Sequence, residues 1–389
     1  MVQRLYPKRC RSSLAETVAN LEELLTEILL RVPAKPLLRF KCVSKHWLSL
    51  ISDPKFRHRH TLQNPNSPIS AVFPDRSTDF SFIPFPPDHN HISARWNPLE
   101  VIANQYGDDI YIMHSCNGLI LCRPLGAPST LRSPYFVLNP TTNQFSTLAI
   151  PPCQQVETHI LGCFLAFDPS KSPHYKVICL ETIDGFELCR RYQIQIYSSE
   201  TRSWRHLNSS IYRKDRIGYE RGVYCNGAIH WVGLYSEMSY FHIDEERVEF
   251  VETTLHCYQK KWHEREYRYL RESSGGHLHL IDIYTSCPTN FEVLEMGRDY
   301  SGWFVKYHVD LYPLCTAFPN LPYGEFVVLF LDRDENEEDG SLSLLLHSPG
   351  NVISCNLKSK TFKSFELTTD ERLLVDHRNF MCKETLACV

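Results

Sequence analysis

The chain of 389 residues carries 41 Lys and Arg against 45 Asp and Glu, a formal net charge of -4 with His neutral. That balance gives no electrostatic reason to expect nucleic acid as a partner, and no apolar run approaches the roughly 20 residues of a membrane-spanning helix. With 43% hydrophobic and 22% charged residues, the composition is that of a folded soluble chain, long enough for a small module and one large domain or for two ordinary domains.

Residues 1–18 read as a flexible tail; Arg4, Lys8, Arg9 and Arg11 precede no apolar core of signal-peptide type, so export is not expected. Residues 19–60 read as a helical module. Leu21, Leu24, Leu25, Ile28 and Leu29 recur at three- and four-residue spacing, which puts them on one side of a helix. Asn20 can cap that helix with Glu23 as its reciprocal partner. Pro33 ends it, and Pro36 sits in the first turn of the next. Leu37, Leu38, Phe40 and Val43 follow, then Trp47, Leu50 and Ile51, with Pro54 closing a third short segment. A unit below roughly 40 residues rarely buries such apolar surface alone. The missing cover is the following domain, another protein, or both.

Residues 61–98 are rich in Pro, Ser and Asn and read as a linker with two strand islands, at 69–73 and 80–85. From 99 to 389 the rhythm is apolar strand, tight turn, apolar strand. Asn117 with Gly118 and Asn226 with Gly227 have the positive-φ chemistry of two-residue hairpins. Asn139 to Thr142, the 198–202 segment and the acidic 244–246 segment serve as further turns. About twenty-four strands with no long helix between them imply an all-β fold. Six four-stranded blades of a β-propeller accommodate that count, with seven or eight blades as variants and two β-sandwich-like domains as the alternative.

The residues of both parts resemble a known family. In the order of a plant-type F-box, residues 21–56 carry Glu27, Ile28 and Leu29; Val32 and Pro33; Leu37, Leu38, Arg39 and Phe40; Cys42 and Val43; Lys45; Trp47; and Ile51 to Pro54. Glu22 stands where that pattern has proline. The strings SCNGLI at 115–120, NPTT at 139–142, FDP at 167–169 with YKV at 175–177, YSSETRSWR at 197–205 and VYCNGAIHW at 223–231 resemble landmarks of the plant F-box-associated domain. The resemblance implies docking on a Skp-family adaptor through Leu21, Leu24, Ile28, Pro33, Leu37 and Leu38, with Trp47 and Ile51 packed internally. It further implies cullin and RING subunits beyond the adaptor, a protein substrate on the propeller, residence in cytoplasm or nucleus, and no catalysis by the chain itself. A propeller scaffold outside any ligase, and a propeller enzyme or carbohydrate-binding protein, are the competing readings.

No residue pattern demands chemistry. Asp168 precedes a proline and suits a turn; His230, His242, Glu245 and His308 form no spaced motif; Ser115 and Cys116 are not followed by a strand-to-helix elbow. Phosphate-loop and HExxH motifs are missing, and His256, Cys257 and His263 lack a second metal-ligand pair, so neither cofactor nor metal is expected. The 15 cysteines are odd in number and dispersed, and those within apolar segments, such as Cys42, Cys122, Cys163, Cys179 and Cys225, read as free buried thiols of a reducing compartment. Lys260, Lys261, His263, Arg265, Arg268 and Arg271, interleaved with Trp262, Tyr267 and Tyr269, read as a solvated loop or a protein-recognition strip. The acidic 332–339 segment reads as a solvated hairpin loop. Trp96, Tyr106, Tyr212, Tyr219, Trp262 and Tyr300 lie near turns and are the candidate substrate anchors.

Overall fold

The computed structural model describes residues 22–65, 67, 69–74, 76–77, 83–84, 97–106, 110–124, 134–149, 151, 159–182, 190–207, 211–213, 221–233, 237–251, 262–273, 276–317, 326–333, 342–348, 350–366 and 379–389. Leu21, Trp96, Tyr219, His256, Cys257, the 1–18 segment and most of the acidic 332–339 segment lie outside the described residues.

Four short helices open the described chain: α1 (Glu22–Leu29), α2 (Ala34–Phe40), α3 (Lys45–Ser52) and α4 (Pro54–Gln63). Ser44 caps α3 by accepting from Trp47 N at 3.2 Å. Asp53 caps α4 by accepting from Lys55 N and Phe56 N, and Pro54 occupies the first helical position. Pro54 therefore begins a fourth helix, one beyond the three that the apolar spacing indicates. The His60 ring faces Val32 O at 2.7 Å and Asn64 Nδ2 donates to Leu30 O at 2.9 Å, which ties α4 to the turn after α1.

Strands follow: β1 (Ile69–Pro74), β2 (Arg76–Ser77) and β3 (Ile83–Pro84), then the helix α5 (Glu100–Tyr106). The first blade holds β4 (Ile110–Cys116), β5 (Leu119–Pro124), β6 (Tyr135–Asn139) and β7 (Gln144–Leu148), with β2 added beside β4. The second holds β8 (His159–Ala166), β9 (Lys176–Thr182), β10 (Arg190–Ser198) and β11 (Ser203–His206), with β12 (Ile211–Arg213) paired to β10. The third holds β13 (Val223–Cys225), β14 (Ala228–Val232), β15 (Met238–His242) and β16 (Arg247–Val251). The fourth holds β17 (Arg265–Glu272), β18 (Leu278–Tyr284), β19 (Asn290–Met296) and β20 (Trp303–Asp310), followed by α6 (Tyr312–Ala317). The fifth holds β21 (Val327–Arg333), β22 (Leu342–Ser348), β23 (Asn351–Asn356) and β24 (Phe362–Glu366).

Among the described residues the propeller thus has five blades, which corrects the expectation of six to eight. The described residues of the islands upstream of Pro98 do not supply half of another four-stranded blade. They give β1 and the two-residue β3, and their third strand is β25 (Asn379–Lys383), in the order β25-β1-β3. This three-stranded sheet joins the two ends of the strand-rich part, with Val72 opposite Met381.

Burial explains why strand alternation fades in sequence. Middle strands such as β6, β14 and β22 are buried along their whole length, while the outer strands β7, β16 and β20 are largely exposed or half-buried. Phe164 meets Trp231 edge-on at 5.5 Å across the second and third blades. The two Asn-Gly turns do more than reverse the chain. Asn117 (φ 44°) and Gly118 (φ 85°), like Asn226 (φ 48°) and Gly227 (φ 83°), take left-handed conformations. Asn117 Nδ2 then donates to Phe167 O at 2.7 Å, and Asn226 Nδ2 to Gly276 O at 3.0 Å, so each turn latches onto the blade that follows.

Residues 384–389 fasten the helices to the ring. Leu386 is buried in one cluster with Leu25, Leu29, Leu30, Leu37, Ile51 and Phe56. Arg57, buried on α4, donates from Nε to Leu386 O at 2.6 Å, and from Nη2 to Ala387 O and to Gln144 Oε1 at 3.1 Å each. Asn139 of the NPTT string turns its own loop by accepting from Thr141 N, while its Nδ2 donates to Thr385 O and Ala387 O. One further expectation is corrected: Cys163 and Cys179, register partners across β8 and β9, are joined as a disulfide rather than standing as free thiols. Cys122 and Cys225 are free and buried, whereas Cys42 is free but exposed and not the buried thiol expected.

Candidate functional sites: an exposed helical face and a central cavity

Helix α1 divides its apolar residues between two faces. Leu25 and Leu29 are buried, at 3% and 1% exposure. Leu24 and Ile28, one turn apart, stand 50% and 51% exposed. Among the other candidate docking residues, Pro33 is exposed and Leu38 half-buried, whereas Leu37 is wholly buried in the module's own cluster. Leu37 therefore belongs to the module's core and not to the exposed face, which corrects its place in the docking set. Trp47 is half-buried with its ring edge-on to Phe40 at 5.7 Å, and Ile51 is fully buried. Glu27 braces the face by pairing with Arg31 at 3.1 Å and with Arg59 of α4 at 2.9 Å. Val43 and Leu48 are further exposed apolar residues of the module that the docking set leaves out.

A cavity of about 320 Å³ lies where the first strands β4, β13 and β17 approach β25. His114 forms part of its wall. Leu165 N donates to His114 Nδ1 at 3.2 Å, so Nε2 carries the hydrogen and donates to Gly222 O at 3.1 Å. Burial, with Arg271 adding to it, lowers this imidazole to about 3 and keeps it neutral. Arg265, Arg268 and Arg271 line the cavity from β17. They belong to the basic strip, whose 265–271 part is therefore an innermost strand and not a solvated loop, while Lys260 and Lys261 lie outside the described residues. Tyr267 and Tyr269 of the same strip are buried; Tyr267 Oη donates to Val328 O at 2.9 Å and Tyr269 Oη accepts from Leu331 N at 3.0 Å. At the other end of β17, burial raises Glu272 to about 7; Asp168 adds to the rise and Lys383 opposes it.

Among the described residues, the candidate anchors Tyr106 and Tyr300 lie apart, one beside the first blade and the other between the third and fourth. Tyr106 is 39% exposed with its ring 4.6 Å from Phe136 on the first blade. Tyr300 stacks on Tyr240 at 4.3 Å and donates its hydroxyl to His230 Nε2 at 2.8 Å, so it bridges the third and fourth blades. Tyr212 falls on β12 and Trp262 in a single 3-10 turn before β17.

The residues first weighed for chemistry have other work. Asp168 accepts from Ser170 N and Oγ within its turn. His230 is buried, lowered to about 4 by that burial, and held between Val223 O and Tyr300. His242 pairs with Glu245 at 3.7 Å, and His308 with Glu292 at 3.3 Å. No group of His, Cys, Asp and Glu among the described residues could hold a metal ion, and no described helix is long and apolar enough to cross a membrane.

Two family models match the chain: an F-box domain over residues 22–59 and an F-box associated beta propeller domain over residues 69–268. The Arabidopsis thaliana protein described as F-box protein At5g07610 is 34% identical over 380 residues, covering 90% of this chain and 86% of that protein. Putative F-box protein At3g10240, also from Arabidopsis thaliana, is 26% identical over 246 residues, 60% of this chain and 58% of its own length. Among solved structures, an oligogalacturonate lyase in complex with manganese aligns with TM-score 0.38 and 11% identity, covering 67% of each chain. YCF48 bound to D1 peptide aligns with TM-score 0.36 and 10% identity, covering 72% of this chain and 77% of that one. The helical module, the beta propeller that follows it and a relative sharing a third of its residues over nine-tenths of its length place the chain in the family of plant F-box proteins with an F-box associated beta propeller domain.

Proposed function

We propose that the chain is the substrate-recognition subunit of an SCF-type cullin–RING ubiquitin ligase, working in the cytoplasm or nucleus. The helical face binds a Skp-family adaptor, and the propeller presents a protein substrate. F-box proteins are non-catalytic adaptors, and this chain is one of them. The contribution of such a subunit is proximity: it converts an encounter between substrate and conjugating enzyme into an event within one assembly.

The observation that carries this reading is the split on α1. A helix whose only role were to cap the propeller would bury its whole apolar stripe. Leu24 and Ile28 instead remain about half exposed beside a well-packed core. Burying the rest of both side chains is worth roughly 1.5–3 kcal/mol in total by transfer arithmetic. The test is co-purification and titration of a Skp-family adaptor against the full chain and a Leu24→Ala, Ile28→Ala variant. The variant should bind about 10- to 100-fold more weakly with unchanged propeller stability. Failure of the unaltered chain to bind the adaptor would refute the reading. Leu37→Ala is unsuited to this test, because it opens a cavity in the module core.

A further inference from the structure

Five Arg and Lys side chains line the central cavity, against the two carboxylates Glu266 and Glu272, the second raised by burial to about 7. Asp282 receives Arg268 through two contacts of 2.6 Å and also lies 3.7 Å from Arg265, so one carboxylate serves two guanidinium groups. The side chains of Arg268 and Arg265 are only 10% and 13% exposed. Arg265 is held below its ordinary value by burial and then by its neighbours Arg268 and Arg221. Arg271 donates to Asn379 O and Oδ1, both neutral, and lies 5.7 Å from the Phe380 ring centre. Among the described residues no carboxylate lies within ion-pair distance of Arg271. Gathering like charges away from water raises the free energy of the empty state, and a bound anion would lower it.

The remaining wall sets the body of such an anion. Tyr267, Tyr269, Phe380 and Met381 contribute aromatic and apolar surface, and the volume falls at the small end of the range for small-molecule sites, roughly 300–1,000 Å³. Arg221 lines the same cavity and is solvent-exposed, which places a cation at its rim.

We propose that this cavity binds one small organic anion, a carboxylate or a monophosphate ester carried on an aromatic or apolar body, with Arg271 receiving the acid group and Arg221 guiding its entry. Guanidinium suits this task because its planar donor fork matches either acid group. The site is separate from the helical face and stands whether or not that face binds an adaptor.

The experiment uses the full chain and follows thermal unfolding and titration calorimetry. The probes are benzoate, phenyl phosphate and inorganic phosphate, each compared with sodium chloride at matched ionic strength. A saturable rise in unfolding temperature with benzoate assigns the carboxylate source, and one with phenyl phosphate assigns the phosphate ester. Arg271→Met should weaken that binding at least tenfold, and Arg221→Ala several-fold. Should Arg271→Met fail to fold, Arg221→Ala at the exposed rim decides alone. Absence of a saturable response to both organic probes overturns the proposal. So does a response to inorganic phosphate alone, or affinity unchanged in the variants that fold.

Discussion

Replacing Arg57 by methionine isolates the joint between the helical module and the ring. Methionine keeps most of the aliphatic stem of arginine and removes its donors. Leu386 O then loses its 2.6 Å donor inside the protein. Ala387 O retains Asn139 Nδ2 at 2.8 Å, and Gln144 is left to find water. One orphaned buried carbonyl costs about 1–3 kcal/mol, and the two partly compensated contacts add about 1 kcal/mol. A loss of about 2–4 kcal/mol corresponds to roughly 30- to 700-fold more frequent local opening. Native-state hydrogen exchange reads this directly. Amides of α4 should lose that much protection, while strands of the third and fourth blades, remote from the joint, should keep theirs. Deleting residues 384–389 should reproduce the pattern and enlarge it, because Leu386 leaves the core cluster with them. Unchanged exchange in α4, or an equal loss throughout the blades, would refute the view that this guanidinium fastens one unit to the other.

Glu272→Gln should stabilise the protein by about 1–3 kcal/mol at pH 8 and by nothing near pH 4. The carboxyl, raised from 4.5 to about 7 among Cys116, Tyr224, Cys225, Asp168 and Lys383, holds its proton in the folded state through that window, so stability falls as pH rises across it. Denaturant unfolding at the two pH values checks this, and a difference independent of pH would refute it. Gly118→Ala should cost about 2 kcal/mol or more beyond Gly350→Ala. Both glycines hold a positive φ, 85° and 74°, but a Cβ at 118 would meet Thr385 Cγ2 at 2.5 Å and Lys383 O at 2.7 Å, whereas nothing lies within 4 Å of one at 350. Equal urea midpoints for the two variants would contradict the steric argument.

What the sequence revealed and what it hid divide along the range of the interactions. Asn117 with Gly118 announces a hairpin because the requirement for positive φ is local. That the Asn117 side chain then reaches Phe167 is not local, and neither is the pairing of Val72 with Met381, which decides the blade number. Apolar spacing identifies a face of α1 but not what covers it. Leu24 and Leu37 look alike in sequence, yet one is half exposed and the other wholly buried, because Leu386 and α4 pack on one side alone. Some missed features had usable signals. Asp53 followed by Pro54 is a cap followed by proline at the first helical position, sufficient to begin α4. The basic strip had none: Arg265, Arg268 and Arg271 resemble the charged residues that protect a sheet edge, and only ring closure makes β17 an inner strand.

The joint at Arg57 and the proposed function bear on each other through geometry. A subunit acting by proximity fails if its two binding surfaces swing freely, since effective concentration falls as accessible volume grows. The link between the module and the blades runs from the end of α4 at Gln63 to the start of β1 at Ile69, an NPNSP stretch that would by itself leave the relative orientation loosely set. The structure sets that orientation with side chains instead. Leu386 seals the module core, Arg57 binds the backbone beside it, and Asn139 of the first blade holds the same backbone from the other side. The NPTT string therefore serves as a brace as well as a turn. In the ligase reading, weakening this brace should slow transfer to a substrate bound on the propeller while leaving affinity for the adaptor intact, because Leu24 and Ile28 lie on the face of α1 opposite the joint's sealed core. Equal loss of adaptor affinity and transfer in Arg57→Met would show instead that the module needs the ring to fold.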